Sequence, residues 1–108
     1  MADHEIKNLK NLAEYQKFLE KHDMVVVDFY ANWCGVCKEI SPAFLELSKK
    51  YPQVAFAKVN VEHNEETAKF ADVTPIPTFL YFKKGKQVRD YHGKHPKELE
   101  DGLIAFFN

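Results

Sequence analysis

The sequence predicts an α/β protein in three layers: a central mixed sheet of five strands with four helices on its two faces. Three observations carry that reading. Met24-Val25-Val26-Val27-Asp28-Phe29-Tyr30 is a β-branched and aromatic run of the kind that fills a strand buried on both faces. Runs of this type alternate with segments whose apolar residues recur at helical spacing, in the order β-α-β-α-β-α-β-β-α, which sets helices against a sheet from both sides. The last two strands are joined by Lys83-Lys84-Gly85-Lys86, too short for a parallel crossover, so they pair as an antiparallel hairpin.

Each element has its own local cause. Ile6 and Leu9 alternate weakly within Glu5-Ile6-Lys7-Asn8-Leu9, a short first strand placed near an edge because its other residues are polar. Asn11 suits the cap of a helix whose Leu12, Tyr15, Phe18 and Leu19 share one face, and Lys21-His22-Asp23 returns the chain to the central strand. Ile40, Phe44, Leu47 and Tyr51 mark the second helix, which Ser41-Pro42 should kink by removing one backbone bond. Val54 to Val59 is a third strand, and the short helix with Ala68, Phe70 and Ala71 is expected to close a second β-α-β unit. Thr74-Pro75-Ile76-Pro77 excludes helix, Thr78-Phe79-Leu80-Tyr81-Phe82 is strongly strand-like, and Val88 and Tyr91 mark the last strand. Gly93 ends that strand, and Pro96 suits the first turn of a final helix with Leu99, Leu103, Ile104, Phe106 and Phe107 on its apolar face.

Composition narrows the function. At 108 residues the chain, 1–108, reads as one domain, with no repeat, linker or low-complexity segment. Hydrophobic residues at 45% and charged residues at 29% describe a globular chain, and a formal net charge of −1 offers no footprint for nucleic acid. No run approaches the length of a membrane span, so neither nucleic acid nor membrane is an expected partner. Met1 to Lys7 lacks a basic region followed by an apolar stretch, and two cysteines are too few for a secreted disulfide scaffold; both point to a reducing, cytoplasmic setting.

The chemistry is concentrated in Trp33-Cys34-Gly35-Val36-Cys37-Lys38, which holds both cysteines between the central strand and the second helix. Cys34 then lies at a helix N-terminus, where free N–H groups and the macrodipole favour a thiolate, and it should be the more exposed of the two. Cys37 faces the same side, one turn deeper. A merely stabilising crosslink gains about 2 kcal/mol from so short a loop. A zinc site with His92 and His95 has too close a histidine spacing, so no metal is expected. Asp28 is an ionisable group inside an apolar run, where burial raises a carboxyl pKa; it reads either as a proton relay for Cys37 or as a structural carboxylate paired with Lys58. Trp33 taken alone is as readily a core residue, the histidines read as surface or capping residues, and the lysines of the hairpin turn are solvated.

Trp-Cys-Gly-X-Cys-Lys after a Val-Val-Val-Asp-Phe strand, with Ile-Pro-Thr before a later strand, resembles the thioredoxin family from about Glu5 to Phe107. Two positions depart from the family pattern: Val36 stands where proline is usual, and Tyr30 where many members carry tryptophan. The resemblance implies a thioredoxin-like fold and a protein-disulfide reductase, a thiol–disulfide oxidoreductase and electron carrier that needs no bound cofactor beyond a redox-active Cys34–Cys37 disulfide. Cys34 is then the nucleophile, Cys37 the resolving cysteine, Asp28 the proton relay and Lys58 its partner. Pro77 matches the family's cis-proline, and Trp33, Gly35, Val36, Ile76, Pro77 and Gly93 form a docking patch where the Ile76 backbone is free to pair with an extended substrate. Implied partners are disulfide-bearing proteins and a thioredoxin-reductase-like flavoenzyme using NADPH, with the chain acting as a monomer. Secretory oxidases or isomerases on the same fold, and a binding subunit without turnover, are the competing readings. Valine at position 36 restores an N–H that can point at the Cys34 sulfur.

Overall fold

The computed structural model describes residues 6–107. Its elements are β1 (Lys7–Asn8), α1 (Leu12–Lys21), β2 (Met24–Tyr30), α2 (Gly35–Lys50), β3 (Ala55–Asn60), α3 (Glu65–Phe70), β4 (Thr78–Lys83), β5 (Lys86–His92) and α4 (Pro96–Ile104), followed by a 3₁₀ turn over Ala105–Phe107. The order is the one the sequence predicts. The first strand is shorter than expected: Leu9 is buried just beyond it, and Glu5 lies outside the described residues.

The five strands run β1-β3-β2-β4-β5 across the sheet. β2 lies at the centre, parallel to β3 and antiparallel to β4, with Asp28 opposite both Lys58 and Phe79. One expectation is corrected here. α3 does not close a second β-α-β unit, because β4 runs opposite to β2 and β3 and pairs with β2 alone of the two. β4 starts at the end of the sheet where β3 finishes, with Thr78 beside Phe29 and Asn60 beside Tyr30, so residues 61–77, α3 included, return the chain to the end it left instead of crossing the sheet.

Alternation along β2 sorts its side chains between two cores. Val25, Val27 and Phe29 face the layer with Tyr15 of α1, together with Leu9, Val59 and Leu80. Val26 faces the opposite layer, where Ile40, Phe44 and Leu47 of α2 and Leu99 and Leu103 of α4 meet Phe56 and Phe79. Asp28 and Tyr30 share the parity of Val26 and therefore lie on the α2 face. The apolar side chains of the two cores that are fully withdrawn from water, such as Val26, Val27 and Phe29, each contribute roughly 1.5–3 kcal/mol.

The helix ends follow their sequence signals. The Asn11 side chain accepts from the Glu14 N–H at 2.9 Å, and Asn64 caps α3 through Thr67. α2 remains helical through Pro42, which leaves the Lys38 carbonyl without its usual intrahelical donor. Lys84 and Gly85 both have positive φ, 52° and 82°, as a two-residue turn of the primed type requires. At the C-terminus, Leu99, Leu103 and Phe106 are buried, but Ile104 and Phe107, expected on the same face, are 42% and 45% exposed. The tighter 3₁₀ turn points Phe106 inward, and Phe107 stacks instead on Tyr51. α4 approaches the sheet closely at Gly102, where a Cβ would lie 2.6 Å from the Tyr81 hydroxyl.

Candidate active site

β2 ends at Tyr30, and a short turn through Ala31 to Trp33 delivers the chain to the start of α2. Cys34 is the N-cap of that helix, in extended conformation, and it is joined to Cys37 by a disulfide with Cα atoms 5.3 Å apart. The Cys37 N–H donates to Cys34 Sγ at 3.1 Å. The sulfur thus takes the place of the oxygen of a capping side chain, and a negative charge on it would be met by an N–H and by the positive end of a sixteen-residue helix. Cys34 and Cys37 are 6% and 4% exposed, so exposure hardly separates them; their positions in the helical turn do. The donor is the amide of Cys37 and not that of Val36, so a proline at position 36 would leave this bond in place.

The apolar patch assembles from three segments. Trp33 is 66% exposed and Val36 38%, which places Trp33 outside the core. Ile76 is half-buried against the cluster of Ala31, Cys34 and Cys37. The Ile76–Pro77 bond is cis, and among the described residues no hydrogen bond engages the Ile76 backbone. Thr78 at the start of β4 pairs with His92 of β5, which brings Gly93 alongside Pro77. Gly93 has a φ of 154°, and a Cβ there would lie 2.6 Å from the Tyr91 hydroxyl. Gly35 has open space where a side chain would be, so its bareness matters only to something approaching from outside.

Two contacts that sequence reasoning did not foresee hold this patch. The Trp33 indole N–H donates to Glu62 at 2.7 Å, and Glu62 is presented by a turn in which the Asn60 side chain accepts from the Glu62 and His63 N–H groups. An Asx turn after a strand was the signal available for it. The Thr78 hydroxyl donates to the Pro75 carbonyl at 2.6 Å and meets His92 Nδ1 at 2.9 Å, while His92 Nε2 meets Asp90 at 2.9 Å. His92 therefore stitches β5 to the segment that carries Pro77, a structural contact beyond the surface role read from sequence.

Behind the cysteines lies a cavity of about 130 Å³, lined by Asp28, Tyr30, Cys37, Lys38, Ser41 and Lys58 among others. Asp28 is 6% exposed and its Oδ1 has no hydrogen-bond partner. Burial pushes its carboxyl up to about 7, against the attraction of the Lys58 ammonium, which pulls it down. Lys58 lies opposite Asp28 in register, but no ion pair joins them among the described residues; its ammonium sits 5.5 Å from the centre of the Tyr30 ring. A partnerless carboxyl that titrates near neutrality, sharing a cavity with a thiol, can exchange a proton with it. Ser41 was not foreseen as part of this lining.

The thioredoxin family model matches residues 6–105. The chain is 39% identical over 98 residues to mitochondrial thioredoxin-3 of Saccharomyces cerevisiae, covering 91% of this chain and 77% of that one. It is 38% identical over 100 residues to the thioredoxin of Gallus gallus, covering 91% and 95%. Among solved structures, Plasmodium falciparum thioredoxin superposes with a TM-score of 0.91 at 33% identity, over 94% of this chain and 99% of that one.

Proposed function

The chain belongs to the thioredoxin family, and from that premise we infer a division of labour in which Cys34 attacks, Cys37 resolves and Asp28 takes the Cys37 proton. As a thiol–disulfide oxidoreductase it reduces disulfides in protein substrates through the Cys34–Cys37 pair and is itself recharged by a reductase. The observation that supports the division of labour is the placement of the pair: Cys34 caps the helix with a donor on its sulfur, and Cys37 lines the cavity with Asp28.

In the reduced protein the Cys34 thiolate attacks one sulfur of a substrate disulfide. A bond forms between Cys34 Sγ and that sulfur, the substrate S–S bond breaks, and the other sulfur leaves as a thiolate. The Cys37 thiol gives its proton to the Asp28 carboxylate through water in the cavity, whose volume and polar lining accommodate it. The Cys37 thiolate then attacks Cys34 Sγ, which closes the Cys34–Cys37 disulfide and releases the second substrate thiolate. Two electrons pass to the substrate. Lys58 limits how far burial raises the Asp28 carboxyl, so that it is a usable base near neutral pH.

Trp33, Gly35, Val36, Ile76, Pro77 and Gly93 form the docking surface, where an extended substrate segment pairs with the Ile76 backbone. No bound cofactor is required. The electron donor is a flavoenzyme using NADPH, the protein works as a monomer, and its compartment is the cytoplasm, where it carries electrons. The mitochondrial name of one yeast relative makes the compartment a point to measure. No helix among the described residues is long and apolar enough to cross a membrane.

Reduction of insulin disulfides with alternative reductases tests the activity and the donor together. Cys34→Ser should abolish turnover, whereas Cys37→Ser should accumulate a mixed disulfide through Cys34. Trapping through Cys37 in the Cys34→Ser protein would reverse the two roles.

A further inference from the structure

We propose that Tyr30 is a positioning residue for the proton-accepting end of the site: its ring holds the Lys58 ammonium inside the cavity, beside the Asp28 carboxyl. The placement follows from strand parity and register. Asp28 and Tyr30 project from β2 on the α2 side, and Lys58 projects to the same side from β3, directly opposite Asp28 and diagonal to Tyr30. The ammonium lies 5.5 Å from the ring centre, within the range in which the electron-rich face of an aromatic ring attracts a cation. Tyr30 and Lys58 are both half-buried, so the attraction acts in partly desolvated surroundings.

Apart from the attraction of Asp28 itself, the ring is what holds the flexible stem of Lys58 inward, since no ion pair among the described residues engages it. The charged and titratable groups that face Asp28 are few. β3 supplies Lys58; α2 supplies Cys37, uncharged while in the disulfide, and the exposed Lys38; β4 opposes it with apolar Phe79. Lys58 is the cation whose attraction the Asp28 carboxyl feels. Whether a residue at position 30 offers an aromatic face therefore sets how strongly that carboxyl is charged at neutral pH. The consequence for catalysis rests on Asp28 being the proton acceptor for Cys37, whereas the electrostatic coupling does not.

The test is a carbon-13 NMR titration of the Asp28 carboxyl in the oxidised full chain, for the wild type, Tyr30→Phe, Tyr30→Leu, Lys58→Met and the double variant Tyr30→Leu/Lys58→Met. Tyr30→Phe keeps the ring and should leave the midpoint within about 0.2 pH unit of wild type, while Tyr30→Leu should raise it by roughly half a unit. Lys58→Met should raise it at least as far, and the double variant should match Lys58→Met alone. Tyr30→Met, which fills the space without a π face, serves where the leucine variant does not fold. An unmoved midpoint in Tyr30→Leu, or an equal shift with and without Lys58, would overturn the proposal. The pH profile of resolution by Cys37, measured on the same proteins, separates the two readings. If the carboxyl midpoint moves as expected and the resolution profile does not follow, the Tyr30–Lys58 coupling stands and the proton-acceptor role of Asp28 falls.

Discussion

Replacing Asp28 by asparagine turns the buried carboxyl into a neutral group of the same shape, and the structure states how the effect must depend on pH. Burial holds the Asp28 carboxyl at about 7 in the folded protein, up from an ordinary value of 3.8. The folded state therefore binds more protons than the unfolded chain between these two values. The wild type is favoured by this group at low pH, loses that stability as pH rises through the window, and changes no further once pH is above the folded value. Three pKa units at about 1.4 kcal/mol each amount to roughly 4 kcal/mol, of which about 1.5 is already lost at pH 5. The asparagine variant has no such titration. Its advantage over wild type should therefore grow by about 2–3 kcal/mol between roughly pH 5 and pH 8.5. Its absolute stability also includes about 1–3 kcal/mol for an amide buried without partners, and this constant part cancels in the comparison across pH. Urea unfolding of both oxidised proteins at several pH values measures the difference, with the disulfide intact in both states. A gap between the two that stays constant to about 0.5 kcal/mol across the range would refute a desolvated carboxyl at this position. In the reduced proteins the same substitution should slow the release of a mixed disulfide by Cys37 far more than the initial attack by Cys34, which stopped-flow measurements separate.

Three further outcomes follow from contacts in the structure. Glu62→Ala frees the Trp33 indole; a charge-assisted bond at the surface is worth about 1 kcal/mol, so KM for a protein disulfide should rise about fivefold with kcat little changed, and Trp33 fluorescence should become more readily quenched. Gly102→Ala places a methyl 2.6 Å from the Tyr81 hydroxyl, which itself donates to the Leu99 carbonyl at 2.7 Å; despite alanine's better helix propensity, it should destabilise the protein by about 1–3 kcal/mol in urea unfolding. Val36→Pro retains the Cys37 donor on the Cys34 sulfur, so the reduction potential should move by less than about 20 mV, as read against a glutathione couple, and a larger move would show that position 36 acts on the sulfur in another way.

Much of this protein is legible one residue at a time. The apolar run from Met24 to Tyr30, the cap at Asn11, the turn at Lys84-Gly85 and the proline at the start of α4 act within a few residues, so their structural outcomes follow from local sterics and hydrogen bonding. The dithiol at a helix N-terminus is local in the same sense: a strand, a short turn and an amphipathic segment leave Cys34 no other place than the cap. Assigning Asp28 to Cys37 and Pro77 to a cis bond took more than local pattern and came from resemblance to a family.

Tertiary structure decided what depends on partners distant in sequence. Lys58 faces Asp28 because β2 and β3 pair in one register, and a slip of one residue would send both side chains to other neighbours. The direction of β4 is set by its antiparallel pairing with β2, a long-range match that periodicity does not express. Glu62 meets Trp33 only because the turn after β3 and the turn after β2 emerge at the same end of two parallel strands. Periodicity can assign a residue to a face, but which groups share a cavity on that face, and hence which charge a buried carboxyl feels, is fixed only when separate elements pack together.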